Sequence, residues 1–154
     1  MTRAGALRMQ SELVELRTKQ RLKIVREVAD AAAQGDRSEN AEYIYGKKKL
    51  REIDRRIHYL TKRLETATVV NPADRGAGAT DRVFFGATVC VEDEDGREST
   101  YQLVGADEID LTAGRISYRS PLGRALLNRR VGETVILRKP SGEAELTIVT
   151  INYA

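Results

Sequence analysis

From residue 39 to residue 67 the apolar positions fall at alternating spacings of three and four: Tyr43, Gly46, Leu50, Ile53, Ile57, Leu60, Leu64 and Ala67. The positions between them are mostly Lys, Arg, Glu and Asp. That pattern is a heptad seam, and it predicts an amphipathic helix roughly 40 Å long. Gly46 makes a thin spot on the seam, Ser38 can cap the helix, and Glu42 lies in its first turn. Upstream, Leu13, Leu16, Ile24, Val28 and Ala31 share a less regular stripe, with Gln20 as its polar member. Gly35 can end that helix in the left-handed conformation, and Asp36 suits the turn after it. A connection this short makes the two helices antiparallel. Each is too polar to stand alone, so they must bury one face against each other. The expected element is a coiled-coil hairpin over residues 1–70 with its tip at 35–40.

Residues 71–82 are rich in Pro, Gly and small side chains, with no apolar period, and read as a linker. Beyond them the period becomes two. Residues 83–91 and 98–104 read as strands joined by the turn Asp93-Glu94-Asp95-Gly96. Residues 115–119 form a third short strand. Ser120 and Pro121 provide the cap and first position of a short helix. Residues 133–138 and 143–152 flank Pro140-Ser141-Gly142 as a closing hairpin. The fold class is therefore α+β, with a helical hairpin followed by a small antiparallel sheet domain with one short helix over 83–154.

Composition agrees with an elongated part beside a modest globular one: 32% of the 154 residues are charged and 5% are aromatic. The net charge of +3 conceals an asymmetry. Residues 1–70 carry 16 Lys/Arg against 10 Asp/Glu, a net +6; residues 71–154 carry 10 against 13, a net −3. A basic hairpin suits a polyanion, and equally a solvated helical face laced with ion pairs. The one cysteine, Cys90, lies in the alternation Val89-Cys90-Val91 and reads as a small strand residue. A lone cysteine without a signal peptide points to the reducing cytoplasm. No apolar run approaches the roughly 20 residues that span a bilayer.

Candidate chemistry concentrates near the hairpin tip. Asp36 and Glu39, three positions apart, could hold a hard cation such as Mg²⁺, which takes one or two protein carboxylates and keeps several waters. On an exposed turn they would need further ligands from a partner. The structural alternative is that Asp36 caps the turn and Glu39 favours the N-terminus of the next helix. Lys48, Arg51 and Arg55 share one helix face, with Tyr45 off the seam beside them, an arrangement suited to single-stranded nucleic acid. His58 reads as a solvated helix residue. With one His and no CxxC there is no zinc motif, and no phosphate-binding glycine loop appears.

The run Gly35-Asp36-Arg37-Ser38-Glu39-Asn40-Ala41-Glu42-Tyr43, followed by Lys47-Lys48-Lys49-Leu50-Arg51-Glu52-Ile53-Asp54-Arg55-Arg56, resembles the tip and second helix of the bacterial Gre transcript-cleavage factors. The likeness is closer to their GreB branch than to GreA. Ser120-Pro121-Leu122-Gly123-Arg124-Ala125-Leu126-Leu127, with Val131-Gly132-Glu133 after it, is similar to the C-terminal signature of the same family. Residues 83–87 resemble its first strand in the GreB form. The likeness spans nearly the whole chain in order.

That resemblance implies a coiled-coil hairpin followed by an FKBP-like domain. It implies a transcription elongation factor, not itself an enzyme, that enters the secondary channel of RNA polymerase as a monomer. There it would stimulate the polymerase's own cleavage of backtracked nascent RNA. Asp36 and Glu39 would help hold a Mg²⁺ shared with the polymerase, with none bound by the chain alone. Lys48, Arg51 and Arg55 would hold the RNA 3′ segment, and Ser120 and Pro121 would lie in the polymerase-docking surface. The runner-up is a Gre-like regulator that occupies the channel and inhibits without cleavage; a coiled-coil adaptor unrelated to the polymerase is the third reading. Arg119 stands where the family carries Asp or Asn. Against the GreB form, the opening Met1-Thr2-Arg3-Ala4-Gly5 stands a few residues late, which implies either a short base to the first helix or a misassigned start. The scarcity of aromatics argues against prolyl isomerase activity.

Overall fold

Three helical stretches follow the apolar seams: α1 (Arg3–Glu15), α2 (Arg21–Ala32) and α3 (Ala41–Thr66). The computed structural model describes residues 1–35, 40–75 and 81–153. Its chain divides into two units, Ala6–Ala67 and the combination of Met1–Gly5 with Thr68–Ala154. Within the helical unit, Glu12 faces Arg56, Arg21 faces Asp54, Val28 faces Gly46 and Ala31 faces Asn40. Rising numbers meet falling ones, so the arms are antiparallel. Gly46, Ile53 and Leu60 are buried on α3, with Leu50, Ile57 and Leu64 half-buried beside them. The thin spot is real: a Cβ on Gly46 would come within 2.7 Å of Val28 Cγ2.

The first arm changes phase partway. Its buried positions are Ala6, Met9, Leu13 and Leu16, then Ile24 and Ala31. A strict heptad from Leu16 would place the next inward residues at 20 and 23. Instead, residues Leu16–Gln20 form one π-helical turn, in which Arg21 N–H donates to Leu16 O. The wider turn absorbs one extra residue, so the seam resumes at Ile24. Gln20 is therefore exposed, which corrects its expected place in the stripe. Thr18 Oγ1 donates to Val14 O at 2.6 Å, a local bond that competes with the helical ladder at this turn.

In the second unit, the sheet has the order β3-β2-β1-β5-β4, with β1 Thr88–Glu92, β2 Glu98–Val104, β3 Arg115–Ser117, β4 Thr134–Lys139 and β5 Gly142–Asn152. The α+β class holds, but the sheet is mixed. The pair β2–β3 is parallel, and the other pairs are antiparallel. Parallel pairing needs a crossover. Residues 105–114, with short 3₁₀ turns at Ala106–Glu108 and Leu111–Ala113, supply it. The first strand starts later than expected because Gly86, at φ +89°, turns the chain. Pro72 packs against that glycine, 2.9 Å from where a Cβ would stand. Val83, Val89, Val91, Leu103, Leu126 and Ile148 form the core, with α4 (Pro121–Leu126) supplying Leu126.

Two segments assigned by sequence to the hairpin and the linker belong with the sheet. Thr2 bridges Val70, with Arg3 N–H donating to Val70 O and Val70 N–H to Met1 O, both at 2.9 Å. Thr2 also caps α1 through Gly5 N–H, while the buried Glu108 carboxylate accepts from Thr2 N–H, Thr2 Oγ1–H and Gly105 N–H. Sequence-distant groups thus satisfy the helix start much as a capping box does locally. In the expected linker, Pro72–Arg75 forms a 3₁₀ turn, and Arg75 lies over the Phe84 and Tyr153 rings at 4.8 and 5.7 Å.

Candidate functional site

Gly35 ends the first arm with φ +140°, where only glycine is unstrained, although no atom lies within 4 Å of the place a Cβ would take. Asp36 and Glu39, the two candidate acids, lie outside the described residues. Asn40 follows them and does the work expected of Ser38. Its Oδ1 accepts from Tyr43 N–H at 3.1 Å, capping α3, and its Nδ2 donates to Ala31 O at 2.7 Å. One side chain thereby caps the second arm and ties it to the end of the first. The geometry on both sides of residues 36–39 is fixed by Gly35 and Asn40.

Along α3, Lys48, Arg51 and Arg55 are all exposed. Among the described residues none of the three has an ion-pair partner, whereas Arg56 is held by Glu12 at 2.8 Å and Asp54 by Arg21 at 2.8 Å. The hydrogen bond from Arg21 to Asp54, reinforced by their charges, raises the pKa of the Arg21 guanidinium. The basic residues nearest the seam are thus spent on joining the arms, and the outer three remain open to a ligand. A hollow of about 460 Å³ is lined by Arg51, Asp54, Arg55 and His58. His58, read from sequence as an ordinary solvated residue, therefore shares a surface with two of the candidate contacts. The signal was present in its spacing, since 48, 51, 55 and 58 lie on one helical stripe. Tyr45 is 66% exposed near the same end of the helix, while Tyr43 is half-buried.

A separate group sits in the sheet unit. Ser120 Oγ accepts from Gly123 N–H at 3.0 Å and donates to Ser117 O at 2.7 Å, so its hydroxyl is committed to capping α4. Pro121 occupies the first turn and is exposed. Arg119 lies over the Tyr118 ring at 5.3 Å and donates from Nε to the Tyr118 hydroxyl at 3.0 Å. Tyr118 in turn meets Phe85 edge-on at 5.4 Å. Gly123 cannot be larger, because a Cβ there would lie 2.3 Å from Ser117 O. Ser120 therefore positions the corner, and the side chains it presents are Arg119 and Pro121.

Among the described residues, no group of three or more His, Cys, Asp or Glu side chains could hold a metal ion, and no helix is long and apolar enough to cross a membrane.

Comparison with known proteins covers the chain from end to end. A family model for the N-terminal region of transcription elongation factors matches residues 1–69. A second, for the C-terminal region of GreA/GreB transcription elongation factors, matches residues 78–153. Transcription elongation factor GreB of Neisseria meningitidis serogroup B is 51% identical over 153 residues, covering 99% of this chain and 93% of that protein. GreB of Pseudomonas aeruginosa is 50% identical over 155 residues, covering 99% and 89%. Among solved structures, the GreA factor homolog 1 protein of Thermus thermophilus aligns over 99% of this chain and 97% of its own at 26% identity, with a TM-score of 0.43. The chain belongs to the GreA/GreB family of transcription elongation factors.

Proposed function

We propose that this chain enters the secondary channel of RNA polymerase, in the cytoplasm and as a monomer, and stimulates the polymerase's own cleavage of backtracked nascent RNA. The observation that carries this reading is a row of three exposed cations, without ion-pair partners among the described residues, on the helix that follows the acidic tip sequence, in a chain matched along its length by GreB relatives. In this reading Lys48, Arg51 and Arg55 draw the RNA 3′ segment along α3 by contacts with its phosphates. Asp36 and Glu39 present carboxylate oxygens to the reacting end, orient the attacking water and accept hydrogen bonds from it. Pro121 and Arg119 meet the polymerase surface, with Ser120 holding them in place.

The donor chemistry fits Mg²⁺: hard carboxylate oxygens, few in number, with the remaining ligands left to another molecule. When bound there, the ion would act as a Lewis acid on water and on the phosphoryl oxygens.

The test uses a polymerase complex stalled in a backtracked state, with the RNA 3′ end followed over time. Wild-type protein should shorten the RNA, and Asp36→Asn or Glu39→Gln should lose at least about tenfold in rate while still binding. Replacing Lys48, Arg51 and Arg55 by Ala should weaken the effect and flatten its salt dependence. Binding with inhibition and no cleavage by the wild type would establish the channel-blocking regulator instead. Failure to bind core polymerase would leave the adaptor reading.

A further inference from the structure

We propose that Arg82, Arg129 and Arg130 of the sheet unit form an anion pocket that takes a phosphate group, a site beyond the hairpin chemistry proposed above. The three arginines line an open surface hollow of about 530 Å³ together with Asn128 and Glu133. Arg82 and Arg130 are direct cross-strand partners in an isolated antiparallel bridge. Val83 N–H donates to Arg129 O at 2.9 Å, which makes the 82–130 pair one of the non-hydrogen-bonded kind, the register that brings facing side chains closest. Like charges placed this way repel each other. Among the described residues, neither arginine has an ion-pair partner. Glu133 reaches only Arg129, at 3.9 Å, and Asp81 precedes Arg82 without lining the hollow. Three guanidiniums therefore share one carboxylate, leaving a local excess that suits a multiply charged anion better than a single carboxylate.

The backbone around the pocket is held firmly. Tyr153 Oη donates to Arg82 O at 2.6 Å and accepts from Phe84 N–H at 2.8 Å. Asn128 N–H donates to Val83 O at 2.7 Å. Asn128, at φ 66°, takes the left-handed third position of a tight turn whose Arg129 N–H donates to Leu126 O at 3.1 Å. The arginines are thus presented from a fixed frame. Their forked donors match phosphate oxygens in pairs.

The experiment titrates the isotope-labelled full chain with inorganic pyrophosphate and, in a separate arm, with a short single-stranded DNA, following the amide resonances of Val83, Asn128, Arg129 and Arg130. Saturable shifts at these amides are expected in pyrophosphate. The double variant Arg82→Ala/Arg130→Ala should weaken them at least about tenfold. The exposed single substitution Arg130→Glu should abolish them in a protein whose other resonances are unchanged. The response should persist when Lys48, Arg51 and Arg55 are all Ala, which separates this site from the hairpin reading. Tighter binding of the DNA, with a steep salt dependence, would assign the phosphate to a nucleic-acid backbone; equal or tighter binding of pyrophosphate would assign it to a free oligophosphate. The proposal is overturned if these amides do not move, if Arg130→Glu leaves the response intact, or if a poly-glutamate peptide moves them as strongly as pyrophosphate.

Discussion

Leu60 of the hairpin and Leu126 of the sheet unit are both shut off from solvent, but by different means. Leu60 belongs to a single file of buried positions along α3, with exposed polar residues on either side. Leu126 belongs to a cluster that draws on α4, β1, β2, β4 and β5 and closes around it. A seam of this kind leaves most of its surface free for charge, and the hairpin uses that surface for ion pairs between its arms and for open cations. A cluster gives more neighbours to each buried atom and holds loops and corners still. The hairpin is therefore suited to presenting charge along a line, and the sheet unit to presenting a few groups at fixed corners.

The largest expected effect tests that contrast directly. Leu126→Ala should cost about 2–5 kcal/mol in urea unfolding, because the surrounding cluster cannot collapse into the space. Ile53→Ala on the seam should cost less, since a two-helix interface relaxes more easily. Equal losses would break the comparison. Next, Gly46→Ala should destabilise the hairpin by about 1–3 kcal/mol through overpacking against Val28. Val28→Ala in the same chain should restore most of it, as read by hydrogen exchange of α2 and α3 amides; no rescue would mean that the clash lies elsewhere.

A smaller effect of opposite sign is expected at the π-helical turn. Deleting Lys19 removes the extra residue, so the buried positions would run in one heptad phase from Met9 onward. Stability should rise by roughly 1 kcal/mol, the worth of a regained helical hydrogen bond. A loss in thermal melts would show that the turn is held by contacts other than the seam. The smallest effect concerns Asp110, whose carboxyl is held below the usual range by the Thr112 hydroxyl, then by Ala113 N–H, with the Arg115 charge adding to them. A depressed folded value means that the contribution to stability is present above the ordinary aspartate value near about 3.9 and is lost as pH falls through the folded value. Following the Thr112 and Ala113 amide shifts should give a midpoint below that ordinary value, and Asp110→Asn should remove the step.

Much of this molecule was legible in its residues alone. The seam on α3, the stop at Gly35, the Ser120 cap and the Gly46 thin spot all follow from local rules, because each depends on residues within a turn or two of itself. The turn after β1 belongs here too: Asp93 Oδ1 accepts from Asp95 and Arg97 N–H, as a short acceptor at that position should. One local reading did not hold: Ser38 is the expected cap, and Asn40 takes the role, its amide also reaching Ala31 across the hairpin.

What the sequence determined by itself was therefore periodicity: which faces are apolar, where the arms end, and which cations stand off the seam. Phase and partnership were set by the folded chain in three dimensions. The π-helical turn exists because both halves of the first arm must face the same partner, a demand no window within that arm contains. Glu108 serves the start of a helix more than a hundred residues earlier, β3 runs parallel because of its crossover, and Arg82 meets Arg130 across a bridge. Periodicity is a property of neighbours in the chain, whereas these pairings are set by chain closure in space, where a residue's energy depends on atoms that the local pattern cannot name.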